Sequence, residues 1–525
     1  MHQPTVSKAL FPFLTFSFLV AATTTAAFDF TNLKLSSSAE VFLRNTPGHT
    51  LATARWQSWR APDIASAVSV ATTADVASTI QFANRHNISF TAYSGGHGGT
   101  SALGDVKDGI QINLRKLNTI TLSDDGTYVT VGGGIKSKEL IDALWAMGKW
   151  TTTGMCECTG AVAVALGGGH GLLQGRYGLL ADQILGMEVV TADGSIIRVS
   201  QTENQDLFWA MRGAGHNFGV VTSVDWKVYD VPNTDIGGRV WSYELFIWEA
   251  TEANIRSVYE IAKKLTDSGK QHDGLILYAV VGIIPDISEK PVLAYYAVWN
   301  GPLSTIKEHT AEYHALSPLS VTSDEGVYID AARWLSLDKS SITCRVSELM
   351  PGTGVQRFPV DTKTYNIEAM VGMLDKYHEL IASSPAFGGS LILIEQYSTR
   401  AVTEADKSKT AIPWRENVLL IAPALVYPNL DMATEPPKLN TAFEELIWAK
   451  GNEIRQILVD GARKYGGHHA YVNYASGGET EAEWYGKENL SKLRHLKKTW
   501  DPRNQFGFYA PIRADGEKHV EKSEL

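Results

Sequence analysis

Residues 74–87, ADVASTIQFANRHN, place apolar side chains three and four positions apart and so predict a helix. ISFTAYS follows with the alternation of a strand and runs into the glycine-rich YSGGHGGTSALG, residues 93–104. GIQINL and TYVTVGGG read as short strands, and KSKELIDALWAMG as an amphipathic helix stopping at Gly148. GMEVVTADGSIIRVS predicts a hairpin that turns at Asp193-Gly194, NQDLFWAMRG a helix and GVVTSVDWKVYDV a strand. From about Val231 the texture changes. Long helical stretches at 250–268, 366–383 and 440–464 separate strand candidates GLILYAVVGII, PVLAYYAVW, GSLILIEQY and NVLLIAPALVY. Few helices and many long apolar strands predict an antiparallel sheet backed by helices, an α+β layer. No internal repeat is present.

A chain of 525 residues exceeds one ordinary domain, so two domains sharing an interface are expected. The net charge of −10 and the lack of any basic run disfavour nucleic acid and anionic membranes, leaving a small molecule as the expected partner. At the N-terminus, Lys8 precedes an apolar run from Ala9 to Ala22 and small residues through Ala27, the pattern of a secretory signal peptide cleaved near Ala27. The run contains Pro12 and is shorter than the roughly 20 residues a membrane span needs, so no membrane association is expected after cleavage. Export would make Asn87-Ile88-Ser89 and Asn489-Leu490-Ser491 glycan acceptor candidates.

Chemistry concentrates in the glycine clusters. Glycine admits positive φ and close ligand approach, and successive free N–H groups make an anion-binding concavity, so SGGHGG suggests a phosphate-bearing guest. GAGHNFG does not fit a dinucleotide fingerprint, because its third glycine is one residue late and it follows a helix and precedes a strand. The three cysteines, Cys156, Cys158 and Cys344, are an odd set, and GMCECTG lacks zinc-ligand spacing, so no metal is expected.

Taken in order, SGGH after a strand, Cys-x-x-x-Gly leading to GGGHG, GLLADQ, VVTADG, DLFWAMRGAGHNFGVVT, YVNY and DPRNQF resemble the berberine bridge enzyme-like FAD-linked oxidases of the vanillyl-alcohol oxidase superfamily. The likeness runs from about Trp56 to Ile512 and fades between roughly 235 and 460, the part in which substrate specificity sits in such proteins. It implies a two-lobed FAD-binding fold: an FAD domain over 56–231, a substrate domain over 232–464, and a C-terminal segment, 465–515, that returns to close the active site. A monomer is expected.

The resemblance also assigns residues. His97 matches the histidine bonded to the flavin 8α-methyl, and Cys156 the cysteine bonded to C6, with Cys158 as the other candidate because Glu157 and a second thiol stand where proline is common. The unused thiols, Cys158 and Cys344, would then be free and buried. Ser94, Gly95, Gly96, Gly98 and Gly99 would face the pyrophosphate, and Gly160, Gly167, Gly168, Gly169, Gly171, Asn217, Gly219 and Val220 would pack against the cofactor. Tyr474 matches the usual base, and a tyrosine accepts a proton at neutral pH only with help from nearby positive charge or hydrogen bonds; His468 or His469 is a candidate helper. Alternation puts Leu391, Leu393, Glu395 and Tyr397 on one face, so Glu395 is expected to polarise the substrate or Tyr474. Some relatives place a glutamate on the next strand, but NVLLIAPALVY is apolar, which argues against carbon–carbon ring closure. The small Ala161 after Gly160 points to oxygen as electron acceptor. The implied activity is oxidation of an alcohol or amine carbon of a natural product with release of hydrogen peroxide. The alternatives are a carbohydrate oxidase and, more remotely, a flavin-free binding protein or a zinc hydrolase.

Overall fold

Thr72 caps the helix Thr73–His86 by accepting the Asp75 N–H, and the Asp75 carboxylate answers the Thr72 N–H at 2.9 Å. Asn87 ends it in the left-handed conformation. This helix packs on the first of three main sheets in the computed structural model, which describes residues 30–285, 287–434 and 437–514. The leader expected over 1–27 lies outside the described residues.

The first sheet orders Glu40–Leu43, Ile64–Ser69, Gly109–Asn113 and Phe90–Tyr93, its last two pairings parallel. The Gly109–Asn113 strand is buried throughout, as a central parallel strand requires. A second sheet orders Ile120–Leu122, Tyr128–Gly132, Val220–Lys227, Ile184–Val190 and Ile196–Ser200. The expected hairpin joins its last two strands, with Gly194 at φ +84°.

The second lobe is a single antiparallel sheet of eight strands. Seven follow one another as Ser320–Val327, Val240–Glu249, Ser288–Trp299, Leu275–Ile284, Leu391–Gln396, Leu419–Pro428 and Thr353–Arg357; Val360–Thr362 also pairs with Leu419–Pro428. Helices Glu252–Ser268, Ile367–Ser383 and Thr441–Ala462 bury one face around Tyr259, Met373, Tyr377 and Ile454. The other face presents Tyr278, Tyr296 and Tyr397 to Trp150, Leu172 and Leu173 of the first lobe. This is the α+β architecture expected, with its sheet sandwiched between its own helices and the other lobe.

The C-terminus then returns to the first lobe. Asp501 makes DPRNQF a fixed turn: its carboxylate accepts the N–H groups of Gln505 and Phe506 and the fully buried Lys497 ammonium, all at 2.8 Å. Asn217 holds the next residues. Its Oδ1 accepts the Ile512 N–H at 2.9 Å, and its amide donates to the Ala510 carbonyl and the Tyr485 hydroxyl.

Candidate active site

The lobes enclose a cavity of about 330 Å³, which draws its walls from Arg55 near the start of the described chain to Tyr509 near its end. The loop after the Phe90–Tyr93 strand supplies Ser94, Gly95, Gly96, His97 and Gly98, and a second loop supplies Met155, Cys156 and Gly160. Glycines interlock these loops. A Cβ on Gly95 would lie 2.5 Å from the Gly160 nitrogen, and one on Gly160 would lie 2.2 Å from Ser94 Oγ.

The contact brings a His97 ring nitrogen and Cys156 Sγ within 4.8 Å of each other. His97 stacks on Trp56 with centroids 5.2 Å apart. Burial, reinforced by Arg357, Lys136 and Arg55, pushes its pKa down to about 3, so the imidazole is neutral with a lone pair available. Burial pushes the Cys156 thiol up to about 11.

Cys158 and Cys344 are not free thiols: they form a disulfide across 186 residues. An odd cysteine count leaves one unpaired but does not say which, and the partner sits in the other lobe, beyond the reach of local spacing. Cys156 is the free cysteine of the three, its sulfur 3.3 Å from that of Cys158. With Cys158 committed to a disulfide, the His97–Cys156–Cys158 cluster lacks a third metal donor.

Gly219 and Val220 also line the cavity, whereas the other assigned glycines form its support. A Cβ on Gly99 would meet Gln57, on Gly167 Asn473, on Gly168 Trp414, on Gly169 Leu180 and on Gly171 the Thr153 carbonyl. Asn217 is the clamp on the C-terminal segment described above. The cavity holds buried polar atoms without partners: Ser94 Oγ, His170 Nε2 and His216 Nδ1. Such atoms can exchange hydrogen bonds with a polar guest, and together with the bare glycine backbone they fit the FAD that the resemblance implies.

On the opposite wall, the Leu391–Gln396 strand points Leu393 and Glu395 inward, with Tyr397 following, and Tyr278 is the cross-strand neighbour of Glu395. The other neighbour is Leu420, so the adjoining strand is apolar here. Glu395 is 3% exposed and accepts two phenolic protons, from Tyr474 at 2.6 Å and from Tyr397. Burial raises its pKa, opposed by those two hydrogen bonds and by Arg357. Tyr474 sits in a 3-10 turn, Val472–Tyr474, not in a strand. Burial and the Glu395 charge raise its pKa well above the ordinary value, against Arg357.

His468 and His469 do not serve Tyr474. His468 pairs with Glu483 at 2.6 Å, and His469 pairs its backbone with Asp361. The cation beside Tyr474 is Arg357, 5.1 Å from the ring centroid. It is one of several lining residues, with Arg55, His170, His216 and Tyr397, that sequence reasoning did not single out as site residues. The histidines carried a signal in that each lies inside a glycine cluster, and Tyr397 in that alternation put it on the face of Glu395; the arginines carried none.

Comparison with known proteins finds matches along most of the chain. A family model described as "FAD binding domain" matches residues 64–200, and one described as "Berberine and berberine like" matches 470–513. FAD-linked oxidoreductase chyH of Penicillium rubens is 35% identical over 485 residues, 91% of this chain and 92% of its own. FAD-linked oxidoreductase chry5 of Gibberella zeae is 35% identical over 495 residues, 91% and 93%. Among solved structures, the xylooligosaccharide oxidase from Myceliophthora thermophila C1 in complex with xylobiose superposes with a TM-score of 0.74, covering 91% of this chain and 98% of that one. At 20% identity that likeness is one of fold.

Proposed function

The chain belongs to the berberine and berberine-like FAD-linked oxidoreductases, and from that premise we propose a secreted, bicovalently flavinylated oxidase that acts on an alcohol or amine carbon of a small natural product. The observation that carries the reading is the convergence of His97, Cys156 and the Tyr474–Glu395 pair on one cavity. Bound flavin would supply the hydride acceptor and the path for electrons to oxygen, with hydrogen peroxide as the product. His97 and Cys156 would hold it.

The protein's own part is proton transfer and orientation. Tyr474 holds its proton against Glu395, so its phenolic oxygen can accept the substrate O–H or N–H proton only as its own moves to Glu395 Oε1. Tyr397 donates to Oε2 and leaves Oε1 as the receiving oxygen. Leu393, Tyr278 and Tyr397 line the cavity around this exchange, and Glu395 is 3% exposed. The leader over 1–27 delivers the chain to the secretory pathway, where the Cys158–Cys344 disulfide forms.

Acid-precipitated, washed protein is expected to stay yellow. His97→Ala and Cys156→Ala should each keep the flavin through the remaining bond, and only the double variant should release it. Colour lost wholly into the supernatant from the unaltered protein would refute covalent attachment. A peroxide-coupled screen over alcohols, amines and sugars then tests the substrate class, and turnover confined to sugars would favour a carbohydrate oxidase.

A further inference from the structure

Arg357 ends the strand Thr353–Arg357 and lines the cavity beside Trp56, Glu395 and Tyr474. Its guanidinium carbon lies 4.9 Å from the Trp56 ring centroid and 5.1 Å from that of Tyr474. Two aromatic faces therefore hold a cation whose N–H edges remain unused. The Nε atom is buried without an acceptor, and among the described residues the guanidinium has neither a hydrogen-bond acceptor nor a carboxylate partner. Glu395 does not fill that role, because its oxygens receive the phenols of Tyr474 and Tyr397. Arg55, the other arginine of the lining, donates to the Gly98 carbonyl at 3.0 Å, so Arg357 alone has its full set of donors open.

A guanidinium with its donors open toward a largely aromatic cavity is a ready anion site, and its planar fork matches a carboxylate through two parallel N–H···O bonds. The surfaces around it, Trp56, Tyr278, Leu393 and Tyr397, suit an apolar or aromatic body. We propose that the substrate is a small organic acid whose carboxylate docks on Arg357 while the hydroxyl or amine on its oxidisable carbon faces Tyr474. This rests on the reading above that Tyr474 and Glu395 take the substrate proton.

The test uses benzoate and benzamide, which share a shape and differ in charge, titrated calorimetrically into purified holoenzyme. Benzoate should bind at least about tenfold more tightly than benzamide, the worth of a charge-assisted contact. Arg357→Gln should erase that difference and Arg357→Lys keep part of it, with flavin content and the thermal transition preserved in both. Equal affinity, no benzoate binding, or a preference that survives Arg357→Gln overturns the proposal. Should the glutamine variant fail to fold, the wild-type comparison and the lysine variant still decide it. Flavin absorbance of the same samples separates the two levels: colourless protein sinks the cofactor reading and this inference together, whereas yellow protein blind to charge sinks the carboxylate site alone.

Discussion

Tyr474 keeps its proton in the resting site. The sequence suggested a phenol eased toward ionisation by a neighbouring histidine, but burial and Glu395 hold it protonated, and the cation on its ring, among the described residues, is Arg357. Tyr474→Phe keeps the ring and removes the relay. It should leave flavin attachment and folding intact while slowing the limiting rate of flavin reduction about 10²- to 10⁴-fold, with far less effect on substrate binding. Anaerobic stopped-flow, with a substrate from the peroxide screen, measures both. Glu395 must be a carboxylate to receive the proton, and its pKa is raised above 4.5, chiefly by burial. Reduction should therefore slow as pH falls through that raised value, and Glu395→Gln should be slow at every pH and lack this acid limb. The raised pKa also means that the folded state favours the protonated form, so the carboxylate's contribution to stability diminishes as pH rises through it, and the neutral glutamine should fold well. The place of His97, Cys156 and Tyr474 at the cavity was legible because each stands inside a dense local motif. Arg357, in GVQRF, was not, since only the sheet brings it to the cavity.

Elements with strong local signals form where the pattern placed them. Helices expected at 366–383 and 440–464 are Ile367–Ser383 and Thr441–Ala462, and the Asp193-Gly194 turn joins its two strands. Ser320–Val327 escaped notice for a physical reason. It is an edge strand exposed over most of its length, so it has no buried face to impose alternation and is specified by its pairing with Val240–Glu249. Element context also separates the two sequons. Asn87 is exposed at a helix end, whereas Asn489 lies within Lys487–Trp500 and donates its amide to the carbonyls of Ala411 and Tyr485. Protein secreted from a eukaryotic host should lose one glycan on treatment with peptide N-glycosidase. Asn87→Gln should abolish that mass change, and Asn489→Gln should leave it as it was.

At the scale of the whole molecule, the Cys158–Cys344 bond ties the loop carrying Cys156 to the segment of the second lobe that contributes Leu337 and Thr343 to the cavity wall. Glu157 reinforces the junction by accepting the Lys339 N–H at 2.9 Å and by donating its own N–H to the Leu337 carbonyl at 3.0 Å. A cross-link over so long a stretch restricts the unfolded chain strongly, and Cys344→Ser should lower the unfolding free energy by roughly 2–5 kcal/mol. Urea denaturation of the two proteins provides the comparison, and unchanged midpoints would show that the lobes need no tether. The C-terminal turn fixed by Asp501 has a different kind of consequence. Because Gln505, Phe506, Phe508 and Tyr509 complete the cavity wall, the chamber closes only once the turn at Asp501 has laid this segment back on the first lobe. A chain whose Asp501 turn is disrupted would keep His97 and Cys156 side by side yet leave their shared cavity open on one flank.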